Sequence, residues 1–255
     1  YTKKINANLA YTEGLGKHSQ VQLNYNPSYT VGKSDKSTRD LNLSSGIYDD
    51  FNSLLSNKYT NVYETQRAGL SYKYRKDKVN FSIGADAQQS TLQGNQSFPT
   101  TFSLNLPFRN ILPNAQFNYK INKSKNLRIN YRSSTDIPSI SQLQNVVDIS
   151  NPLQVKTGNT SLKQTFENNL GIRYGGFNTQ SSRNAMIFMN AGSIENYISN
   201  ATYILNTDSV VDGFLLRQGS QLTKPVNLKG YYSARTFFVF GLPIKKIKSN
   251  LNFNG

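Results

Sequence analysis

The chain has 255 residues, with 29 Lys plus Arg against 14 Asp plus Glu for a formal charge of +15; Tyr (16) and Phe (14) are plentiful, and Cys and Trp are absent. Without cysteine there is no disulfide framework and no thiolate metal site, which leaves the compartment open. No run approaches the ~18 consecutive apolar residues of a transmembrane helix, whereas a transmembrane strand needs only ~9–11 residues and hides its apolar content in alternation.

Taken in chain order, Tyr1-Thr2-Lys3-Lys4-Ile5 already reads as strand, with neither a leader peptide nor a start methionine ahead of it, so the chain is expected to begin mid-structure. Period two, the spacing at which side chains alternate between strand faces, then dominates. Ile5, Ala7, Leu9 and Tyr11 oppose Asn6, Asn8 and Thr12, and Val21, Leu23 and Tyr25 oppose Gln20, Gln22 and Asn24. Ala68, Leu70, Tyr72 and Tyr74 oppose Ser71, Lys73 and Arg75; Val79, Phe81, Ile83, Ala85 and Ala87 oppose Asn80, Ser82, Asp86 and Gln88. The pattern returns at Ala115–Ile121, Leu127–Tyr131 and Phe166–Tyr174, less regularly at Ala185–Gly192 and Val226–Phe240, and starts again at Leu251 and Phe253. This predicts an all-β chain of about ten antiparallel strands.

The connections alternate in length. Short links fall near Gly14–Ser19, Lys76–Lys78, Asn122–Asn126, Gly175–Arg183 and Leu242–Lys248; long polar segments cover Gly32–Tyr63, Ser90–Ile111, Ser133–Gln164 and Ile194–Lys224. Four long loops do not suit a compact soluble domain. Short turns at one end and long loops at the other are what outer-membrane barrels show, which makes the short turns periplasmic and the long loops extracellular. Within the loops, Asp49–Leu55 and Ser139–Val147 are expected to form short helical turns, the second opened by Pro138 and Ser139. The positive charge sits in turns such as Arg75-Lys76-Asp77-Lys78, Lys123-Ser124-Lys125 and Lys245-Lys246-Ile247-Lys248 rather than in one stripe interleaved with aromatics. That scatter argues against nucleic acid and leaves solvated lysines, or lysines flanking an anionic lipid surface.

A soluble sandwich alternates in the same way with its apolar face inward. Strands near ten residues long, large polar residues on the opposite face, and Tyr near strand ends tilt the reading to a membrane barrel. Tyr11, Tyr25, Tyr29, Tyr72, Tyr74, Tyr119, Tyr131 and Tyr174 stand where an aromatic girdle would hold a ring in the interface and a hydroxyl in water.

At Tyr131-Arg132, Asp136-Ile137-Pro138-Ser139-Ile140-Ser141-Gln142-Leu143, Ser150-Asn151-Pro152-Leu153 and Gly158-Asn159-Thr160-Ser161-Leu162-Lys163 the chain resembles the barrel region of Bacteroidetes outer-membrane proteins of the TonB-dependent receptor type. Such proteins often continue with Pro-Glu, where this chain has Gln164-Thr165-Phe166-Glu167. The resemblance implies a plugged barrel of ~22 strands, with a plug and a TonB box that residues 1–255 do not display. Nor does the chain end in the aromatic residue of a barrel terminus, since it stops at Asn254-Gly255. It is therefore expected to be a partial barrel, residues 1–255, without plug. The partners so implied are outer-membrane lipid, TonB through an absent N-terminal region, a surface lipoprotein and a small ligand such as a siderophore, peptide or glycan.

Catalytic chemistry finds little support. The single histidine, His18, lies in a short turn beside Lys17 and Ser19 and makes no triad. Asp35, Asp40, Asp49, Asp50, Asp136, Asp148, Asp208 and Asp212 fall in the long loops without EF-hand spacing, and Gly175-Gly176 reads as turn chemistry. The expectation is no enzyme, no cofactor and no metal. Candidate ligand contacts are the polar-face residues Lys73, Arg75, Arg128, Arg132 and Arg173, with Asn24 and Asn118, whose basic character suits an anionic ligand; hydrating the channel or pairing with the plug is the alternative. The leading function is a transport or receptor barrel. A structural, secretion or adhesin-like barrel is the first rival. A soluble carbohydrate-binding β-domain is the second, and it requires Val79, Phe81, Ile83 and Phe117 to face a packed interior.

Overall fold

A computed structural model describes residues 1–98, 101–143, 151, 153–178, 180–211 and 214–255. The wall begins with β1 (Thr2–Asn6), β2 (Leu9–Gly14), β3 (Ser19–Tyr25) and β4 (Ser28–Asn42), followed by the long β5 (Ile47–Lys76), β6 (Val79–Phe98) and β7 (Phe102–Asn122). It continues through β8 (Lys125–Asp136), the one-turn helix α1 (Ile140–Leu143), β9 (Gln154–Lys156), β10 (Thr165–Asn178) and β11 (Arg183–Glu195). Then come β12 (Tyr197–Ile204), β13 (Ser209–Val211), β14 (Phe214–Leu216), β15 (Gln221–Leu228), β16 (Tyr231–Ile244) and β17 (Ser249–Asn254).

Twelve of these strands form one antiparallel sheet in which each course pairs with its sequence neighbour, and the sheet is open, with β1 and β17 at the ends of its order. β5 explains why ten strands are read from the sequence while twelve are seen. Its lower half pairs with β3, from Ser19↔Tyr74 to Tyr25↔Ala68, and its upper half with β4, from Ser28↔Thr65 onward. β3 and β4 are thus one course interrupted at Asn26-Pro27, where proline cannot donate to the ladder. β1 and β2 repeat the break at Ala7-Asn8, where the Ala7 amide donates to Pro27 O at 3.1 Å. Counted as courses, the wall has ten.

The short turns fall where the alternation stops. Asp77 (φ 45°), Ser182 (φ 52°) and Lys248 (φ 53°) take the left-handed conformation that tight hairpins demand. Asn122 Oδ1 accepts from the Ser124 amide at 2.9 Å, and Asn178 Oδ1 from the Gln180 amide at 3.0 Å, the side chains standing in for backbone acceptors.

Two expectations are corrected at the opposite end. Gly32–Tyr63 and Ser90–Ile111 are not loops but continuations of the wall: β4 and β5 stay paired up to Asn42↔Ile47, and β6 and β7 up to Gln96↔Phe102. Asp49–Leu55 is strand, not a helical turn. In Gly32–Tyr63 the face that is apolar lower in the wall carries Lys33, Asp35 and Lys58, and in Ser90–Ile111 the apolar residues move to the other face, so the expected apolar period is lost while the hydrogen-bond ladder persists. The second helical expectation is met at Ile140–Leu143, while 144–147 lie outside the described residues. Ser139 caps that turn, its Oγ accepting from the Gln142 amide at 3.3 Å and its own amide donating to Gln142 Oε1 at 2.9 Å, a capping box.

Candidate functional site

Residues directly opposite in the ladder share a face, so the register sorts the wall into two. One face carries Leu23, Leu70, Ile83, Ala115, Ile129, Ile172, Met189 and Phe238 in rows that cross every strand. Its side chains are exposed: Ile83 is 58% accessible, Leu70 55% and Ile111 63%. Val79, Phe81 and Phe117 share that face and none is buried, contrary to what a packed soluble interior requires. The eight tyrosines expected to form a girdle, Tyr11, Tyr25, Tyr29, Tyr72, Tyr74, Tyr119, Tyr131 and Tyr174, all lie on it. Tyr74, Tyr119 and Tyr174 stand toward the short turns, and Tyr25 and Tyr131 toward the other end.

The opposite face is polar and basic. It carries Lys73, Arg75, Arg128, Arg132 and Arg173, together with Asn24 and Asn118. Arg128 Nε donates to Asn118 Oδ1 at 2.8 Å, and the Lys73 ammonium donates to Gln22 Oε1. Arg173 instead stacks over Phe188, its guanidinium carbon 4.9 Å from the ring centroid, a cation–π contact beside Phe237, which stands opposite Phe188 on the same face. Arg75 and Arg128 line one depression of about 290 Å³ near the short turns, whereas Arg132 lines another of about 330 Å³ further up. The five basic residues are therefore spread along the wall, not gathered on one point.

The upper depression brings in Arg67 and Asp86, which were not singled out from sequence although Arg67 shares the parity of Lys73 and Arg75. Arg67 donates through Nε to Gln88 Oε1 at 3.0 Å and again through Nη2, while Gln88 Nε2 donates to Thr135 Oγ1 at 2.9 Å, tying β5, β6 and β8 together. Gly69 sits between Asn24 and Asp86, and a Cβ there would meet Asp86 Oδ1 at 1.8 Å. Only glycine leaves the gap across which Asn24 Nδ2 donates to Asp86 Oδ1 at 3.2 Å.

Above this the polar face turns apolar and is covered. Leu92, Leu104, Leu106 and Phe108 continue the inner parity, and against them pack Ile140 and Leu143 of α1 and Leu162, with Leu143 1% exposed. A Cβ at Gly94 would meet Ile140 Cδ1 at 2.9 Å, so the bare backbone there lets α1 approach. A second, smaller cluster joins Val155 and Leu216 with Leu205, Val211 and Leu222. The cap is built from two long connections at once: β9 pairs in parallel with β15, which pairs with β12. Asn227 locks them, accepting from the Lys163 amide at 2.7 Å and donating to Lys163 O at 3.1 Å and Asn196 O at 2.7 Å.

His18 stays in its turn, edge-on to Tyr74 at 6.3 Å. Asp40 and Asp50 face each other across β4 and β5 and accept from Asn52 at 2.7 Å and Asn42 at 3.3 Å. Asp35 pairs with Lys58 at 2.8 Å, and the hydrogen bond and charge of Asp35 raise the Lys58 pKa. Asp148 and Asp212 lie outside the described residues.

Among solved structures, the Serratia marcescens hemophore receptor HasR, in a double mutant bound to its hemophore HasA and heme, superposes with a TM-score of 0.63 at 12% identity, over 94% of this chain and 39% of that one. The copper transporter OprC superposes with a TM-score of 0.62 at 11% identity, over 94% of this chain and 35% of that one. At such identity the likeness is one of fold, and the chain spans well under half the length of either protein. No curated protein matches it in sequence. The model of one family, the outer membrane protein beta-barrel family, matches residues 1–255 throughout, consistent with the open antiparallel wall and its two faces. The chain belongs to the outer membrane protein beta-barrel family, and its compartment is the Gram-negative outer membrane.

Proposed function

We propose that residues 1–255 form part of the wall of a larger plugged barrel, a TonB-dependent receptor that takes up an anionic ligand. The observation that carries this reading is the inner face: Arg67, Lys73, Arg75, Arg128, Arg132, Arg173 and Arg235 share it with three acidic residues, Asp86, Asp136 and Glu167, over the part of the wall from Arg67 of β5 across to Arg235 of β16. A low-dielectric wall lined by one sign of charge concentrates ions of the other. In this reading the capped end captures the ligand, a siderophore, acidic peptide or glycan. The basic wall then guides it past a plug that TonB moves, and the apolar face with its tyrosines meets lipid. Fold likeness to a hemophore receptor and a copper transporter supports the class of function and leaves the cargo open.

The test is uptake by cells expressing the whole protein, offered ferric siderophores, acidic peptides and charged glycans with and without TonB. Accumulation of one class that requires TonB and falls several-fold in an Arg132→Gln, Arg173→Gln double variant is expected. Accumulation independent of TonB, or of none of the three classes, contradicts the reading and favours a structural or adhesin-like barrel.

A further inference from the structure

The outer face contains a depression of about 380 Å³ that transport does not use. Its floor is Ala68 and Ala87, opposite each other on β5 and β6, and the row below continues it with Ala85. Tyr25 walls one side and Ile111 the other. Directly above stands the row Gln66, Gln89 and Arg109. Small side chains flanked by large ones thus make a slot running along the strands for at least two rows, or about 13 Å, and its upper end carries a cation and two amides.

The Arg109 guanidinium is exposed and has no hydrogen-bond or ion-pair partner among the described residues. The carboxylate on this face above the slot, Glu64, lies two strands away and one row higher, and is engaged by Gln66 Nε2 at 2.8 Å. The Tyr25 hydroxyl donates to Gln66 Oε1 and so fixes the amide at the rim. Below this row the outward positions of β6 and β7 are apolar; at and above it, Gln89, Arg109, Gln93 and Asn105 are polar, which marks the upper edge of the apolar band. A lone guanidinium at that edge, over a groove of acyl-chain width, complements a phosphate on an amphiphile whose chain descends into the band.

We propose that this slot binds one phosphorylated glycolipid of the outer leaflet, its phosphate held by Arg109 with Gln89 and Gln66, and an acyl chain lying over Ala87 and Ala85. The proposal rests on the apolar face meeting lipid, and it would make the protein's partner in the membrane a specific lipid rather than a bulk solvent. A bound chain there fills the one stretch of the β6 outer face where alanines leave the wall thin.

The test uses the whole protein extracted from outer membranes, with heat-modifiable migration checked first, and native mass spectrometry against bis-phosphorylated lipid A, its dephosphorylated form and phosphatidylglycerol. Retention of one bis-phosphorylated lipid A is expected, with about tenfold weaker binding on loss of a charge-assisted contact in Arg109→Gln and a similar loss in Ala87→Leu, which fills the slot from outside without entering the wall. Lys58→Gln, a cation beyond the band, should bind like the parent. Equal retention of the dephosphorylated lipid, undiminished binding by Arg109→Gln, or preference for phosphatidylglycerol overturns the proposal. Failure of heat-modifiable migration in the parent would instead overturn the barrel reading beneath it.

Discussion

The lower and upper halves of β6 and β7 use the same backbone pattern with opposite polarity. In the lower half Phe81, Ile83, Ala115 and Phe117 point outward, while Ser82, Asn114 and Gln116 point inward. In the upper half Leu92, Leu104, Leu106 and Phe108 point inward beneath α1, while Gln93, Ser103 and Asn105 point outward. The pairing runs without a register shift from Val79↔Tyr119 to Gln96↔Phe102, so no bulge has rotated the strands. Strand geometry fixes the period, and what covers each face decides which phase is apolar. Lipid covers the outside below; two folded connections cover the inside above.

The contrast can be broken from either side. The largest effect is expected in the upper half, where Leu143→Ala leaves a cavity under the cap costing about 2–5 kcal/mol of local stability; limited trypsin digestion should then cut faster at Lys156 and Lys163 than it does in the parent. In the lower half, Ile83→Arg puts a charge on the apolar face at a cost of about 2–4 kcal/mol if the row lies near the bilayer midplane, read as a lowered urea midpoint in lipid vesicles. Asn105→Arg, outward in the upper half, should leave that midpoint unmoved. Asn227→Ala removes the two hydrogen bonds that join the connections at Lys163, and a third to Asn196 O within its own connection, and should cost about 1–3 kcal/mol, seen as faster amide exchange at Lys163 with no change in the wall.

The smallest effect concerns the hairpin of β13 and β14. Its base is closed by Asp208, whose carboxylate accepts from the Gln218 amide at 2.8 Å and from Arg217 at 2.9 Å, and these contacts, the amide first, hold its pKa below the ordinary carboxylate value. A depressed pKa contributes stability that is present above the ordinary value of about 3.9 and is lost as pH falls through the folded one. Because the group is exposed the effect is slight. Exchange at the Gln218 amide, after correction for intrinsic rates, should accelerate only below about pH 4, and Asp208→Asn should abolish that dependence.

The wall was legible because lipid-facing strands must keep one clean phase, and Leu70, Tyr72 and Tyr74 against Ser71, Lys73 and Arg75 display it directly. The upper hairpin of β4 and β5 was not, since Lys33, Asp35 and Lys58 stand on the face that is apolar lower down and end its period there, and in the upper β6–β7 hairpin the apolar phase is inverted. The cap was hidden for a different reason: β9 and β15 pair in parallel across more than sixty residues of sequence, from Gln154↔Gln221, and no local pattern encodes that. On the inner face, the parity that marks Lys73 and Arg75 also marks Arg67, but its link through Gln88 to Thr135 depends on β8 reaching β6 at the rim.

Because the chain has no native cysteine, a single-cysteine nitroxide scan of the whole protein along residues 102–120 of β7 tests the inversion directly. The prediction is that odd positions from 111 to 119 are accessible to oxygen and shielded from a water-soluble nickel complex, and that above Arg109 the odd positions become water-accessible while 104, 106 and 108 become protected. A single unbroken phase from 102 to 120, or water access at Ala115 and Phe117, would contradict the account.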